Sequence, residues 1–147
     1  MAVLIDNQQK DHPIAIKLVQ KIAQAILNAL ECPDGELSVA LVDDTHIAQL
    51  NNSYLGRHGP TNVIAFPMRE GDFGDINPDL LGDVVISMDT CAREAREGDL
   101  STETRFYELL VHGILHLFGY DHIHNDEEAR VMDAKSKELL TLINRMH

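Results

Sequence analysis

The chain predicts an α+β fold, with mixed α/β as the nearest alternative: one small mixed β-sheet covered by helices, with a central buried helix that carries histidines. Three observations lead there. Short apolar runs, some alternating with period two, are interleaved with segments of helical period. The segment from Phe106 to Phe118 is apolar almost all round, which marks a helix buried in the core. A length of 147 residues, with 44% apolar and 24% charged side chains, suits one domain over 1–147, and no repeat or low-complexity linker divides it.

The elements follow in order. Val3 to Ile5 reads as a strand. Pro13 to Leu30 is helical, with Ile14, Leu18, Val19, Ile22, Ala23, Ile26 and Leu30 on one face and Pro13 suited to the first turn. Glu36 to Val42 alternates, with Leu37, Val39 and Leu41 facing one side, and is a half-buried strand. Asp43-Asp44-Thr45 caps a short helix reaching about Tyr54. A loop from Gly56 to Thr61 leads to a strand at Val63 to Phe66, stopped by Pro67. Arg69 to Leu80 is acidic and carries glycine and proline, the composition of a mobile loop. Asp83 to Met88 is a fourth strand, and Asp89 to Glu97 a helix capped by Asp89 or Thr90. Ser101 or Thr102 opens the apolar helix. Asn125 caps the last one, which runs to about Asn144, with Glu128 as its capping-box partner. The predicted order is βαβαββααα.

Composition narrows the setting. No apolar run approaches the ~20 residues needed to span a bilayer, and Met1 to Gln9 lacks the cationic and apolar regions of a signal peptide. The expectation is a cytoplasmic protein without a membrane partner. Cys32 and Cys91 form no C-x-x-C pair and read as two thiols in a reducing compartment. With 12 basic and 24 acidic residues the net charge is −12, which disfavours non-specific binding to polyanions. A nucleic-acid substrate would need a local basic patch or a metal ion.

Three side chains break the apolar pattern of the central helix: Glu108, His112 and His116, spaced four apart and therefore on one face. Residues four apart on a helix are close enough to share one tetrahedral ion. Gly119 can adopt positive φ, reverse the chain and bring His122 to the same ion from outside the helix. His112, His116 and His122 are thus the expected ligands of one Zn²⁺. Core histidines bonded to backbone are the plain alternative. A structural zinc is another, weakened because closed structural sites favour four ligands and cysteine. Asp121 or His124 is a possible fourth ligand; an open position holding water is the more natural reading.

Three neutral imidazoles leave the ion's charge uncompensated, so it can acidify water or polarise a phosphoryl or carbonyl oxygen. The spacing matches the zinc-peptidase pattern H-E-x-x-H-x-x-G-x-x-H, except that Gly113 stands where the general-base glutamate belongs. That argues against ordinary peptide hydrolysis. Phosphodiester cleavage needs such a base less, because a ribose 2′-OH can act as internal nucleophile.

The run His112-Gly-Ile-Leu-His-Leu-Phe-Gly-Tyr-Asp-His122 resembles the H-G-x-L-H-L-x-G-Y-D-H signature of the YbeY family of bacterial endoribonucleases. Leu50-Asn-Asn-Ser-Tyr54, Pro60-Thr-Asn-Val-Ile-Ala-Phe-Pro67 and Leu81-Gly-Asp-Val-Val-Ile-Ser87 are similar to two further blocks of that family. The resemblance implies a single α+β domain with one zinc on the three histidines. It also implies single-stranded RNA as substrate, with a role in 16S ribosomal RNA 3′-end maturation and ribosome quality control. Ribosomal RNA and the small ribosomal subunit are the implied partners. Members commonly carry arginine directly after the tyrosine of the first block; Leu55 stands there in this chain, and Arg57 is two places on.

Two residues are assigned catalytic roles. Arg57 is expected to contact phosphate beside the metal, against the plain reading of a solvated loop charge. Asp121 is expected to accept an imidazole N–H or shuttle a proton, against that of a turn residue. Glu108 either orients His112 or pairs with Arg105, the latter favoured. His12, His46 and His147 read as ordinary surface residues. A zinc amidase or peptidase with an unusual base, and a non-catalytic ribosome assembly factor with a structural zinc, are the alternatives to an endoribonuclease.

Overall fold

The computed structural model describes residues 3–68, 79–120 and 125–146. Nine elements follow the predicted order: β1 (Val3–Asn7), α1 (Ile16–Ala29), β2 (Glu36–Val42), α2 (Asp44–Leu55), β3 (Val63–Pro67), β4 (Leu80–Ser87), α3 (Met88–Glu97), α4 (Thr102–Leu117) and α5 (Asp126–Asn144). The strands form one mixed sheet in the order β1-β2-β4-β3. β1, β2 and β4 are parallel, and β3 closes the edge antiparallel to β4.

Strand alternation sorts the core between the two faces of this sheet. Leu37, Val39 and Leu41 of β2, with Val84 and Ile86 of β4, face α1, α4 and α5 and form the large core. The intervening Val42, Ile64 and Val85 face the other way, where Ile47 of α2 covers them. α4 is the innermost helix: nine of its sixteen residues are buried, among them Phe106, Leu110, Ile114 and Leu115. A fully buried Leu or Phe contributes about 1.5–3 kcal/mol, so this helix is fixed by packing on the sheet rather than by its own propensity.

Most caps stand where the sequence places them. Asp43 accepts from His46 N, Ser101 from Thr104 N and Asn125 from Glu128 N, each satisfying an orphan N–H of a first turn. Two starts differ. α1 begins at Ile16, not Pro13. The side chain of Gln9, 8% exposed, accepts from His12 N (2.9 Å) and donates to His12 O (2.8 Å), which holds the chain in a turn just before the proline. Strand β4 runs straight into α3, and Ser87 ends one and caps the other by accepting from Thr90 N at 3.2 Å, so neither Asp89 nor Thr90 is the cap. β4 also starts earlier than expected, at Leu80, because it pairs with β2 along its whole length. Of the predicted loop Arg69 to Leu80, residues 69–78 lie outside the described residues.

Candidate metal centre

Helix α4 presents Arg105, Glu108, His112 and His116 at spacings of three and four, hence on one face. His112 and His116 are half-buried. Their Nε2 atoms stand 3.0 Å apart and their ring centroids 4.5 Å apart. Two imidazole lone pairs at that distance repel unless a proton or a cation stands between them. In a tetrahedral zinc site, nitrogens at ~2.0–2.1 Å from the ion lie roughly 3.3 Å from each other. The pair therefore fits two corners of such a site. Among the described residues, no group of three His, Cys, Asp or Glu side chains forms a candidate metal cluster. His122, the expected third ligand, lies outside the described residues, as do Asp121 and His124.

The helix ends as its glycine predicts. Gly119 has φ +90°, its N–H donates to His116 O (3.0 Å), and Tyr120 N donates to Leu115 O (3.1 Å). This is the double reverse bond of a Schellman turn.

Gly113 has a packing reason. A Cβ there would lie 2.6 Å from Val84 Cγ1 and 3.2 Å from Val63 Cγ2. The helix approaches β3 and β4 so closely that even a methyl at this position would force Val84 to shift. A glutamate in the peptidase register would be driven into the sheet.

Glu108 is held by Arg105, whose Nη1 donates to its Oε1 at 2.8 Å, so of its two expected roles the ion pair is the one observed. Arg57 is exposed, in the loop between α2 and β3, with its backbone N–H on Asn51 O at 3.2 Å. That loop ends at Asn62, whose Nδ2 reaches both oxygens of Glu94 (3.2 and 3.3 Å). Arg105 binds the same carboxylate through Nε (3.1 Å) and Nη2 (3.0 Å). The sequence names Arg105 only as a partner of Glu108; Asn62 and Glu94 carry no local signal, being 32 positions apart.

His12 is not the plain surface residue expected. Its Nε2 lies 2.9 Å from Asp89 Oδ1, and Asp89 Oδ2 accepts from Asp44 N at 2.9 Å. Asp44 Oδ1 in turn accepts from Ser87 Oγ and Thr90 Oγ1, both at 2.6 Å. This network joins the turn before α1 to the starts of α2 and α3.

No helix among the described residues is long and apolar enough to cross a membrane. The sequence model of the family described as endoribonuclease YbeY matches residues 4–144. The chain is 54% identical over 140 residues to the endoribonuclease YbeY of Syntrophotalea carbinolica, covering 95% of this chain and 93% of that protein. It is 53% identical over 144 residues to that of Geobacter sulfurreducens, with coverage of 97% and 96%. The solution structure of a Thermotoga maritima protein, TM1509, superposes with a TM-score of 0.69 at 28% identity, over 96% of this chain and 88% of that one.

Proposed function

The chain belongs to the endoribonuclease YbeY family, and from that premise we propose that it is a zinc-dependent endoribonuclease that prefers single-stranded RNA. The proposed setting is 16S ribosomal RNA 3′-end maturation and ribosome quality control, on the small ribosomal subunit in the cytoplasm. The observation that supports zinc dependence is the convergence of His112 and His116, Nε2 to Nε2 at 3.0 Å, on one face of α4.

His112, His116 and His122 are the residues that would hold the ion. When bound, zinc supplies Lewis-acid polarisation of a phosphoryl oxygen and acidifies water. The chain's own residues do the rest. Arg57 binds a phosphate of the substrate, supplying local positive charge in a protein of net charge −12. Asp121 accepts an N–H from a ligating imidazole and so fixes which nitrogen faces the site. Burial of α4 against β3 and β4 keeps the imidazoles in one orientation. Glycine at position 113, crowded by Val84 and Val63, leaves the helix without the peptidase base and favours phosphodiester over peptide substrates.

The test is elemental analysis of purified protein together with cleavage of a single-stranded RNA oligonucleotide by metal-stripped and zinc-reconstituted samples. One zinc per chain is expected, with activity lost on stripping and regained on reconstitution. His116→Ala should lose both zinc and cleavage while keeping its helical circular dichroism. Cleavage that persists in metal-free His116→Ala protein rules the reading out. Loss of folding in step with loss of zinc would point instead to a structural ion.

A further inference from the structure

Asn62, Glu94 and Arg105 come from three separate places: the loop before β3, helix α3 and helix α4. Glu94 sits between the other two. It accepts from Asn62 Nδ2 on one side and from Nε and Nη2 of Arg105 on the other, at 3.0–3.3 Å. Arg105 shares its remaining arm with Glu108, at 2.8 Å, one turn before His112. All three ion-paired side chains are about two-thirds buried, with 27% to 33% of each exposed.

A guanidinium already held by two carboxylates has no net charge to offer an RNA phosphate. Arg105 is therefore poorly suited to bind substrate, although it shares a face with the histidines. Its geometry is that of a tie between helices. At the loop's other end, Asn51, 4% exposed, accepts from Arg57 N through its carbonyl and donates from Nδ2 to Gly59 O at 3.0 Å. The loop that carries Arg57 is thus pinned to α2 at its start and to α3 and α4 at its end.

We propose that the Asn62–Glu94–Arg105 chain is a brace that sets the position of the Arg57 loop against the histidine helix, making Glu94 a positioning residue for RNA cleavage. The inference rests on the assignment of Arg57 to substrate phosphate made above. It adds that the reach of Arg57 depends on a carboxylate that touches neither metal nor RNA. Misplacement by about 1 Å can cost roughly 100-fold in rate, so a loosened loop should register in kcat.

A double-mutant cycle tests this, with Arg57→Ala, Glu94→Ala and the double variant assayed on one single-stranded RNA oligonucleotide. Zinc content and thermal unfolding are followed in each protein. Glu94→Ala alone should lower kcat about tenfold, with zinc still at one per chain. In the Arg57→Ala background it should lower kcat less than about twofold further, since the brace then has nothing to position. Additive losses, or an unchanged kcat in Glu94→Ala, overturn the brace. If Glu94→Ala does not fold, Glu94→Gln replaces it in the same cycle, because the neutral amide keeps the shape of the side chain but loses the charge that holds Arg105; additive losses there overturn the brace in the same way. A wild-type protein that binds zinc but cleaves no RNA removes the functional reading and the brace together. A cleaving wild type with an additive cycle removes the brace alone.

Discussion

At Asp44 two opposing effects meet. Burial pushes its carboxyl pKa up, but hydrogen bonds from Ser87, Thr90 and Arg93, with the Arg93 charge, outweigh it and hold the group below its ordinary value of 3.8. A depressed carboxylate contributes stability that is present above the unfolded pKa and lost as pH falls through the folded one. The melting temperature should therefore drop below about pH 4 more steeply in the wild type than in Asp44→Asn, which should be the less stable protein at pH 7. Parallel curves for the two proteins would show that Asp44 carries none of the acid sensitivity. Cys91 is governed by burial. Its thiol is pushed up to about 12, chiefly by desolvation, with Glu94 and Glu108 adding to the shift and Arg105 opposing it. Folded protein should be alkylated at half-buried Cys32 and not at Cys91 at pH 8; mass spectrometry showing two adducts before unfolding would contradict this. Neither behaviour was legible in the sequence. Asp44 read as part of a capping run, and the groups that set its charge state lie 43 to 49 positions away.

Among the elements, α4 depends most on a single small residue. Gly113 lets the helix approach β3 and β4, and adding one methyl puts a carbon 2.6 Å from Val84 Cγ1. Overpacking of this kind costs about 1–3 kcal/mol. Gly113→Ala should lower the melting temperature by roughly 2–4 °C per kcal/mol lost, and it should weaken zinc retention because the imidazoles move with the helix. An unchanged melting temperature would mean that the sheet yields freely at this point. The helix itself was legible: its apolar girdle, the Ser101 cap and the Gly119 stop are local signals, and all three are in place. So was β2, whose alternation matches its burial. The beginning of α1 was not. Pro13 is a good first-turn residue, but the Gln9 side chain claims the preceding backbone for a turn, a contact that periodicity does not report. The strand order β1-β2-β4-β3 was equally hidden, because pairing of distant segments leaves no mark on either segment alone.

For the whole molecule, the tension lies between a net charge of −12 and an RNA substrate. A protein that grips nucleic acid along a basic surface neutralises many phosphates, and its affinity falls steeply with salt, by a log–log slope of about −0.7 per phosphate for single strands. This chain has 12 basic residues against 24 acidic ones. Two of its arginines are paired within the fold, Arg93 with Asp44 and Arg105 with Glu94 and Glu108. Binding should then depend on Arg57 and the ion at short range, while the rest of the molecule repels the substrate. Screening weakens the attraction at the site and the repulsion from the remaining charges alike, and acts more strongly on whichever is longer in range. The two effects oppose each other, so the log–log slope of affinity against salt for a single-stranded oligonucleotide should have a magnitude of about 2 or less, a change of at most roughly 16-fold between about 50 and 200 mM. Arg57→Ala should reduce that slope by roughly 0.7. Fluorescence anisotropy at four or five salt concentrations measures both. A slope of about −5 or steeper would reveal a cationic surface and would move the source of affinity away from the histidine helix.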